Sequence, residues 1–176
     1  MKVCLDYGHG GRDPGACYGD RREADDVLAI GKIVAKHLRA KGVVVQETRK
    51  DDSFVSLASR CHIANKANYD YFISFHRNAY SPEIASGAEV YVHTSGSPKA
   101  RQLASRLQDC LVDFGYRDRG VKKANFYVLR GTRAPALLVE IGFIDNSVDN
   151  WRFDRHMEEM ARRLAEEIVG TDPQQF

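Results

Sequence analysis

The feature that most constrains the fold of this chain is the alternation of short apolar segments with longer segments of helical periodicity. Apolar residues recur at helical spacing between Ala24 and Lys41, and Gly42 follows as a helix stop. The segment Ala136–Phe143 is a nearly continuous apolar run, typical of a central strand covered on both faces. Strands that alternate with helices predict an α/β domain with a mostly parallel sheet. The predicted strands are Val3–Asp6, Val43–Thr48, Tyr71–His76, Gly87–Thr94, Phe126–Leu129 and Ala136–Phe143, and the predicted helices are Ala24–Lys41, Ser56–Ala67, Pro98–Phe114 and Asp154–Val169.

Length and composition favour one domain with its own core. The chain has 176 residues, of which 43% are hydrophobic. A chain of this size buries roughly 70% of its unfolded surface, so it needs no disulfide or structural metal, and we expect any bound metal to serve chemistry. We place the domain at residues 1–170 and expect 171–176 to be a C-terminal tail or the start of a linker.

The charge of the chain argues against nucleic-acid binding. Lys and Arg number 26 and Asp and Glu number 24, a formal net charge of +2, whereas nucleic-acid-binding domains are usually strongly basic. The segment from Ser95 to Arg133 is locally basic, with nine Lys or Arg against three Asp. Two interpretations of it stay open, a solvated helix face followed by a loop, or a surface that attracts an acidic polymer.

The cysteines and the N-terminus bear on the cellular compartment. No two cysteines form a C-x-x-C pair, so we expect reduced, mostly buried thiols rather than a zinc knuckle or a redox motif. The N-terminal segment lacks the apolar core of a signal peptide, and no run approaches the roughly 20 apolar residues of a membrane span. We therefore expect synthesis in the cytoplasm without a signal peptide, and no membrane insertion. The cysteines are Cys4, Cys17, Cys61 and Cys110.

Three ionisable side chains stand at or near the ends of separate predicted strands. His9 lies in a glycine-rich loop after the first strand, His76 closes the third, and Glu140 lies inside the last. In α/β folds ligands bind beyond the carboxyl ends of the strands, so these side chains are candidates for one common site. A carboxylate within an apolar strand is costly unless it is paired or lies at a site. The alternative for Glu140 is a buried ion pair with Arg60 or Arg133.

The glycine-rich loop Tyr7–Gly19 fits a metal site better than a nucleotide site. It matches neither G-x-G-x-x-G nor the P-loop pattern, whereas neutral imidazole is the commonest metal ligand. Catalytic zinc takes three protein ligands and leaves a fourth position open to water. Glu23, at the start of the first helix, is placed to join His9 and His76 as the third ligand. Spacing alone leaves rival carboxylates open, namely Asp6, Asp13, Asp20, Asp25 and Asp26.

Several motifs, in order along nearly the whole chain, resemble one known protein family. They are LDYGHGGRDPGA (Leu5–Ala16), Glu23, Leu57-x-x-Arg60 with Ala64 and Asn65, Ile73–Ala79, Gly87–Tyr91 and Leu138–Asn146. This succession resembles the zinc-dependent N-acetylmuramoyl-L-alanine amidases of bacterial autolysins and phage endolysins, with a catalytic domain of the Amidase_3 type. Each motif alone is weak, and their succession makes the resemblance specific.

The resemblance implies a peptidoglycan hydrolase with one Zn²⁺ per chain. His9, Glu23 and His76 would be the zinc ligands, and Glu140 the catalytic carboxylate. The implied reaction is hydrolysis of the amide between the lactyl group of N-acetylmuramic acid and L-alanine of the stem peptide. Zinc-bound water would be the nucleophile, with Glu140 as general base and then general acid. The implied fold is a twisted sheet of about six strands with helices on both faces.

The resemblance also bears on substrate contacts, partners and localisation. Arg77, Asn78 and Arg130 are candidate contacts for stem-peptide carboxylates or the lactyl group, although Arg77 stands where the family more often has a small residue. The partner implied is bacterial cell-wall peptidoglycan, and the tail could lead into a separate C-terminal wall-binding domain. The sequence carries no long helical insertion that would occlude the site. The missing signal peptide favours release as a phage-type endolysin over secretion as an autolysin.

Two other functions stay open from the sequence. A zinc peptidase that cuts within the stem peptide would need the same metal, water and carboxylate, and only its products would differ. A catalytically silent wall-binding module could keep the same fold, but the presence of all four site residues argues against it.

Overall fold

The strands and helices follow the alternation seen in the sequence, in a computed structural model that describes residues 1–170. The strands are β1 (Lys2–Tyr7), β2 (Cys17–Tyr18), β3 (Arg21–Arg22), β4 (Val44–Glu47), β5 (Tyr71–Asn78), β6 (Ala88–His93), β7 (Asp118–Ala124) and β8 (Ala136–Phe143). The helices are α1 (Glu23–Ala40), α2 (Leu57–Ala64), α3 (Pro98–Asp113), α4 (Tyr127–Arg130) and α5 (Ser147–Val169). The predicted tail, 171–176, lies outside the described residues.

One sheet holds six of the strands, in the order β4-β1-β5-β8-β6-β7, while β2 and β3 pair separately. β4, β1, β5 and β8 run parallel, β6 is antiparallel to β8, and β7 is parallel to β6. The register places His76 beside Glu140, and Glu140 beside Glu89 of β6. The expected fold, a mostly parallel six-stranded sheet with helices on both faces, is confirmed.

The alternation of side chains along the strands gives the sheet two different faces. The covered face packs against α1, α3 and α5, and its side chains, such as Phe75 and Val139, belong to the main core. The open face packs against the shorter helices α2 and α4, around a smaller cluster that includes Leu138. Because strand side chains alternate with a period of two, His76 and Glu140 point to the open face. The strand pattern thus places ionisable groups together on one side.

The expectation about the chain between α3 and β8 is wrong, and one strand there was not predicted. The segment Phe126–Leu129, expected to be a strand, leads into and forms most of the short helix α4. The strand of this region is β7, which lies just before it and has the sequence DRGVKKA. β7 is an edge strand with exposed or half-buried side chains, so it shows no hydrophobic periodicity. Lysines on an edge strand also discourage pairing with other chains.

The last helix begins earlier than expected. The prediction placed its start at Asp154, whereas α5 begins at Ser147. The side chain of Asn146 caps it by accepting a hydrogen bond from the Asp149 backbone N–H at 3.0 Å. The first turns are polar and carry the exposed Trp151, so the apolar periodicity starts only afterwards. The other boundaries agree with the predictions within a few residues, the usual spread for helix and strand ends.

The cysteines are free thiols, as expected, and three of the four are buried. Burial raises the pKa of Cys4 and of Cys110 to about 12, which keeps both thiols protonated.

Among residues 1–170, no helix combines the length and apolar character that crossing a membrane requires.

Arg77 is a fully buried cation on the covered face. Its guanidinium donates to Asp26 at 2.5 Å and to Asn150 Oδ1 at 2.6 Å, and lies 4.3 Å from the centre of the Phe153 ring. The expectation that Arg77 contacts substrate is therefore wrong. Arg77 directly follows His76 in a strand, so its side chain points to the opposite face of the sheet.

Replacing Arg77 by Ala should destabilise the fold, because it removes one member of a buried ion pair. We expect the free energy of unfolding to fall by about 3 kcal/mol, the low end for a broken buried pair, since Arg21 still contacts Asp26 at 2.7 Å. Denaturant titration measures the change. Arg155→Ala, at an exposed position of α5, is the control and should cost less than about 0.5 kcal/mol. Equal stabilities of the two variants would contradict this role for Arg77.

Candidate metal centre

Three side chains that are distant in the sequence meet beyond β1 and at the end of β5. His9 follows β1, Glu23 is the first residue of α1, and His76 lies near the end of β5. One ligand atom from each side chain lies within 4.8 Å of the other two. These are the three residues that the sequence nominated as metal ligands, and the fold brings them together.

The carboxylate of Glu23 joins the two imidazoles. Its Oε1 lies 2.8 Å from His76 Nδ1, and its Oε2 lies 3.1 Å from His9 Nε2. The backbone N–H groups of Ala16 and Arg77 donate to the same carboxylate at 2.9 and 3.1 Å. Burial favours the neutral acid, but the hydrogen bonds and charges of both histidines hold the pKa of Glu23 well below its usual range. Burial alone would lower the pKa of His76, but its contact with Glu23 raises it to about 9.

Two glycines leave space for these side chains. A Cβ atom added at Gly8 would lie 2.3 Å from Cε1 of His76. One added at Gly15 would lie 2.6 Å from the Glu23 carboxylate and 2.7 Å from the His9 ring. Such distances are far shorter than van der Waals contact, so neither position accepts a side chain unless a candidate ligand moves. Close packing around the candidate ligands therefore explains two of the glycines of this loop, Gly8 and Gly15.

Two buried arginines fix the backbone that carries His9. Arg49 donates to the carbonyls of Tyr7 and Gly8, both at 2.9 Å. Arg60 donates to the carbonyls of Tyr7 and His9, both at 2.6 Å. His9 has a φ of 60°, an uncommon value for a residue with a side chain. These hydrogen bonds stabilise that backbone, and nothing in the sequence marked Arg49 for such a role.

Asp13 orients the ring of His9. Its Oδ2 lies 3.0 Å from Nδ1 of His9, the ring nitrogen opposite the one that faces Glu23. Its Oδ1 accepts a hydrogen bond from the Gly15 backbone N–H at 3.1 Å. Burial lowers the pKa of His9, but hydrogen bonds to Glu23 and Asp13 outweigh it and raise the pKa. A carboxylate on the second nitrogen of a histidine is the usual way in which metal-ligating imidazoles are held.

The other carboxylates considered from the sequence do not join the cluster. Asp20 is exposed. The remaining three each pair with arginines: Asp6 with Arg60 at 2.7 Å, Asp25 with Arg22 at 2.7 Å, and Asp26 with Arg21 and Arg77. The choice of Glu23 among the rivals thus agrees with the geometry.

Glu140 lies beside the three candidate ligands and lines the same cleft. Its Oε2 atom is shielded from solvent and has no hydrogen-bond partner within residues 1–170. Burial raises the pKa of Glu140 to about 7, with His76 opposing the rise and the charge of Glu23 adding to it. A carboxyl group with a pKa near neutrality suits general acid–base chemistry.

The alternative of a buried ion pair for Glu140 is wrong. Arg60 pairs with Asp6 instead. Arg133 donates to the backbone carbonyl of Asn65 at 3.3 Å. No ion pair within the described part of the chain involves Glu140, so its carboxyl group faces the cleft uncompensated.

A cleft of about 640 Å³ opens in front of His9, His76 and Glu140. Its walls come from the starts of α2 and α4 and are largely apolar. Side chains that are 40 to 54% exposed line it, namely Phe54, Leu57, Phe126 and Tyr127. Exposed apolar side chains gathered around a concave site indicate a ligand-binding surface.

Asn78 and Arg130, the other expected substrate contacts, lie outside the lining of this cleft. Asn78 donates to Glu89 Oε1 at 2.7 Å and lines a separate cavity. Arg130 is exposed at the end of α4, with its guanidinium 4.9 Å from the centre of the Tyr127 ring. Neither side chain contacts a candidate metal ligand, and contact of either with substrate stays a prediction.

A family model described as N-acetylmuramoyl-L-alanine amidase matches residues 3–170. The chain belongs to this amidase family. The resemblance drawn from the motifs of the sequence is thereby confirmed.

Individual relatives agree with the family assignment. The N-acetylmuramoyl-L-alanine amidase LytC of Bacillus subtilis is 38% identical over 149 residues, which are 84% of this chain and 30% of LytC. The endolysin of Bacillus phage SPP1 is 41% identical over 149 residues, which are 82% of this chain and 55% of the endolysin. The chain therefore spans less than two thirds of either relative. Among solved structures, the N-acetylmuramoyl-L-alanine amidase AmiC2 of Nostoc punctiforme aligns with a TM-score of 0.89 at 36% identity, over 97% of this chain and 96% of AmiC2.

Removing the Asp13 carboxylate should weaken metal binding, because the ring of His9 loses its second hydrogen bond. We expect Asp13→Ala to raise the Kd for Zn²⁺ by about 10- to 100-fold, as the loss of a ligand-orienting partner does. Competition with a chromophoric chelator measures the Kd. Asp20→Ala removes an exposed carboxylate just beyond this loop and is the matched control. An unchanged Kd in Asp13→Ala would contradict this account of His9.

Proposed function

We propose that this chain is a zinc-dependent N-acetylmuramoyl-L-alanine amidase of bacterial peptidoglycan. It would hydrolyse the amide between the lactyl group of N-acetylmuramic acid and L-alanine of the stem peptide. The observation that carries the proposal is the cluster of His9, Glu23 and His76 beside Glu140, in a chain of the amidase family. Similarity to LytC and to the phage endolysin supports action on the cell wall.

The donor set fits one zinc ion. Two imidazoles and one carboxylate are a known ligand set for catalytic zinc, whose bonds of about 2.0–2.1 Å place neighbouring ligand atoms roughly 3.3 Å apart in a tetrahedral site. The Glu23 oxygens already lie 2.8 and 3.1 Å from the two histidine nitrogens. Held by His9, Glu23 and His76, zinc would lower the pKa of a bound water molecule to about 7 and polarise the scissile carbonyl.

Glu140 would move the protons of the reaction. Its carboxyl group lines the cleft, has no ion pair within residues 1–170, and would accept a proton from the attacking water. The resulting acid then donates this proton to the leaving nitrogen of L-alanine, which departs as an amine. The apolar surroundings of Glu140 serve this role because they leave its carboxyl group without a competing ion pair.

The cleft would receive the two sides of the scissile amide. Its apolar walls suit the methyl groups of the lactyl unit and of L-alanine. At its rim, the Arg12 guanidinium lies 4.2 Å from the centre of the Phe54 ring and has no ion pair within residues 1–170, which suits a stem-peptide carboxylate. Asn78 and Arg130 stay in the proposal as contacts farther from the reacting bond.

Release as a phage-type endolysin, and a wall-binding domain that follows this chain, also stay predictions.

Product analysis tests the proposed reaction. Purified peptidoglycan is digested with the zinc-loaded protein, and mass spectrometry identifies the new termini. We expect glycan that keeps its lactyl groups and peptides with a free N-terminal alanine. Cleavage inside the stem peptide would replace the amidase by a zinc peptidase. A zinc-loaded protein that releases no product from any of several walls would indicate a binding module.

Glu140→Gln separates proton transfer from metal binding. The amide keeps the shape of the side chain but accepts no proton, so we expect turnover to fall by about 10²- to 10⁴-fold with zinc stoichiometry unchanged. His76→Ala should instead lose zinc together with activity. Metal analysis by mass spectrometry and product release report the two quantities, and Glu158→Gln, at an exposed position of α5, is the control. Activity retained in Glu140→Gln would remove this residue from the mechanism.

A further inference from the structure

A second cavity, of about 320 Å³, lies on the open face toward the other end of the sheet. It is formed where β6 ends, where α3 begins and where the chain leaves α4 to enter β8. Ala136 lines it, whereas Leu138 and Glu140 line the cleft of the metal centre. Four residues along a strand span about 13 Å, so the two cavities are near neighbours. We call this cavity the distal pocket.

The distal pocket carries uncompensated positive charge. Arg130 and Arg133 line it together with His93, and its lining contains no Asp or Glu. Neither arginine forms an ion pair with any carboxylate of residues 1–170. Their hydrogen bonds go to backbone carbonyls instead, from Arg130 to Asn125 at 2.8 Å and from Arg133 to Asn65 at 3.3 Å. These bonds orient both guanidinium groups and leave their charge available to an anion.

Part of the basic segment seen in the sequence lies at the distal pocket. The two ends of Ser95–Arg133 converge on it, through Ser95, Gly96 and Ser97 at one end and Arg130 with Arg133 at the other. By contrast, Arg119 and Lys122 in the middle of the segment both pair with Glu89. Arg130 and Arg133 thus bring part of the segment's positive charge to this cavity.

Helix α4 connects the distal pocket to the cleft. Tyr127, at its start, lines the cleft, and Arg130, at its end, lines the distal pocket. The Arg130 guanidinium lies 4.9 Å from the centre of the Tyr127 ring. A polymer bound with one amide at the metal centre can therefore continue across one turn of helix and reach both arginines.

We propose that the distal pocket is a second substrate subsite, which binds a carboxylate of peptidoglycan away from the reacting amide. The inference rests on the proposed amidase function. Stem peptides supply carboxylates, whereas the sugars of the glycan are neutral. Arginine is suited to carboxylates because its planar fork donates two parallel hydrogen bonds. The subsite would favour polymer over short fragments, since a second point of attachment raises the effective concentration of the first.

The test compares native peptidoglycan with the same material after its carboxylates are converted to amides. For the wild-type protein we expect kcat/KM to be about three- to tenfold higher on the native polymer, as for the loss of one partly exposed charge-assisted hydrogen bond. In Arg133→Gln this ratio should fall toward one, and Arg130→Gln should act in the same direction. Both positions are exposed, so the fold should tolerate the changes. Thermal unfolding checks this.

Arg155→Gln is the matched control, because it removes one exposed charge from α5 on the other side of the sheet. It should keep the wild-type ratio. An equal drop in Arg155→Gln would mean that net charge, and not the distal pocket, decides the preference. A wild-type ratio retained in Arg133→Gln and Arg130→Gln would also overturn the inference.

Two further outcomes keep the inference separate from the proposed function. One outcome is that inorganic phosphate competes with the polymer for the wild-type protein while amidation of the polymer leaves kcat/KM unchanged. This outcome would mean that the distal pocket binds a different anion. Absence of cleavage of both polymers by the zinc-loaded wild type would contradict the amidase function itself. The inference stands only if the wild type cleaves the polymer and the two arginine variants lose the preference for carboxylates.

Discussion

The buried carboxylate of Glu23 is the interaction on which the rest of the site depends. With only 4% of its surface exposed, such a charge persists only when it is fully paired and hydrogen-bonded. Its partners come from two separate elements, His9 and Ala16 in the glycine-rich loop and His76 and the Arg77 backbone in β5, while Glu23 itself begins α1. Satisfying this one charge therefore fixes how the loop, the helix and the strand meet. The same contacts bring one nitrogen of each imidazole and the carboxylate within 4.8 Å of one another.

A second constraint is the strict alternation of side chains in the central strands. It gathers the main core on the covered face under three helices, and it places His76 and Glu140 on the open face beside the smaller apolar cluster. Glu140 thereby lies next to His76 without any arginine to neutralise it, and its pKa rises to about 7 because of burial. Arg77 follows His76 and therefore lies on the covered face, where it pairs with Asp26 in the core. Two neighbouring residues of β5 therefore have different roles: His76 belongs to the candidate metal centre, and Arg77 stabilises the core.

The sequence predicted most of the strands and helices and two candidate ligand positions, His9 and His76, because parallel strands bring their carboxyl ends to one edge. It left the third ligand open among several aspartates, and family resemblance selected Glu23. Arg77 directly follows His76 in β5, so strand alternation already places its side chain on the face opposite the cleft. The role of Arg49 cannot be predicted from the sequence, because it consists of hydrogen bonds to backbone carbonyls that any residue type provides. The charged edge strand β7 was missed because its side chains stay in solvent.

The central claim is that His9, Glu23 and His76 together hold one zinc ion. Crystallography of the zinc-loaded protein, with anomalous data on both sides of the zinc absorption edge, tests it most directly. The account predicts one strong anomalous peak about 2.0–2.2 Å from one nitrogen of each histidine and one oxygen of Glu23, with the fourth position toward the cleft. A peak that lies elsewhere, or that includes Glu140 as a ligand in place of Glu23, would contradict it.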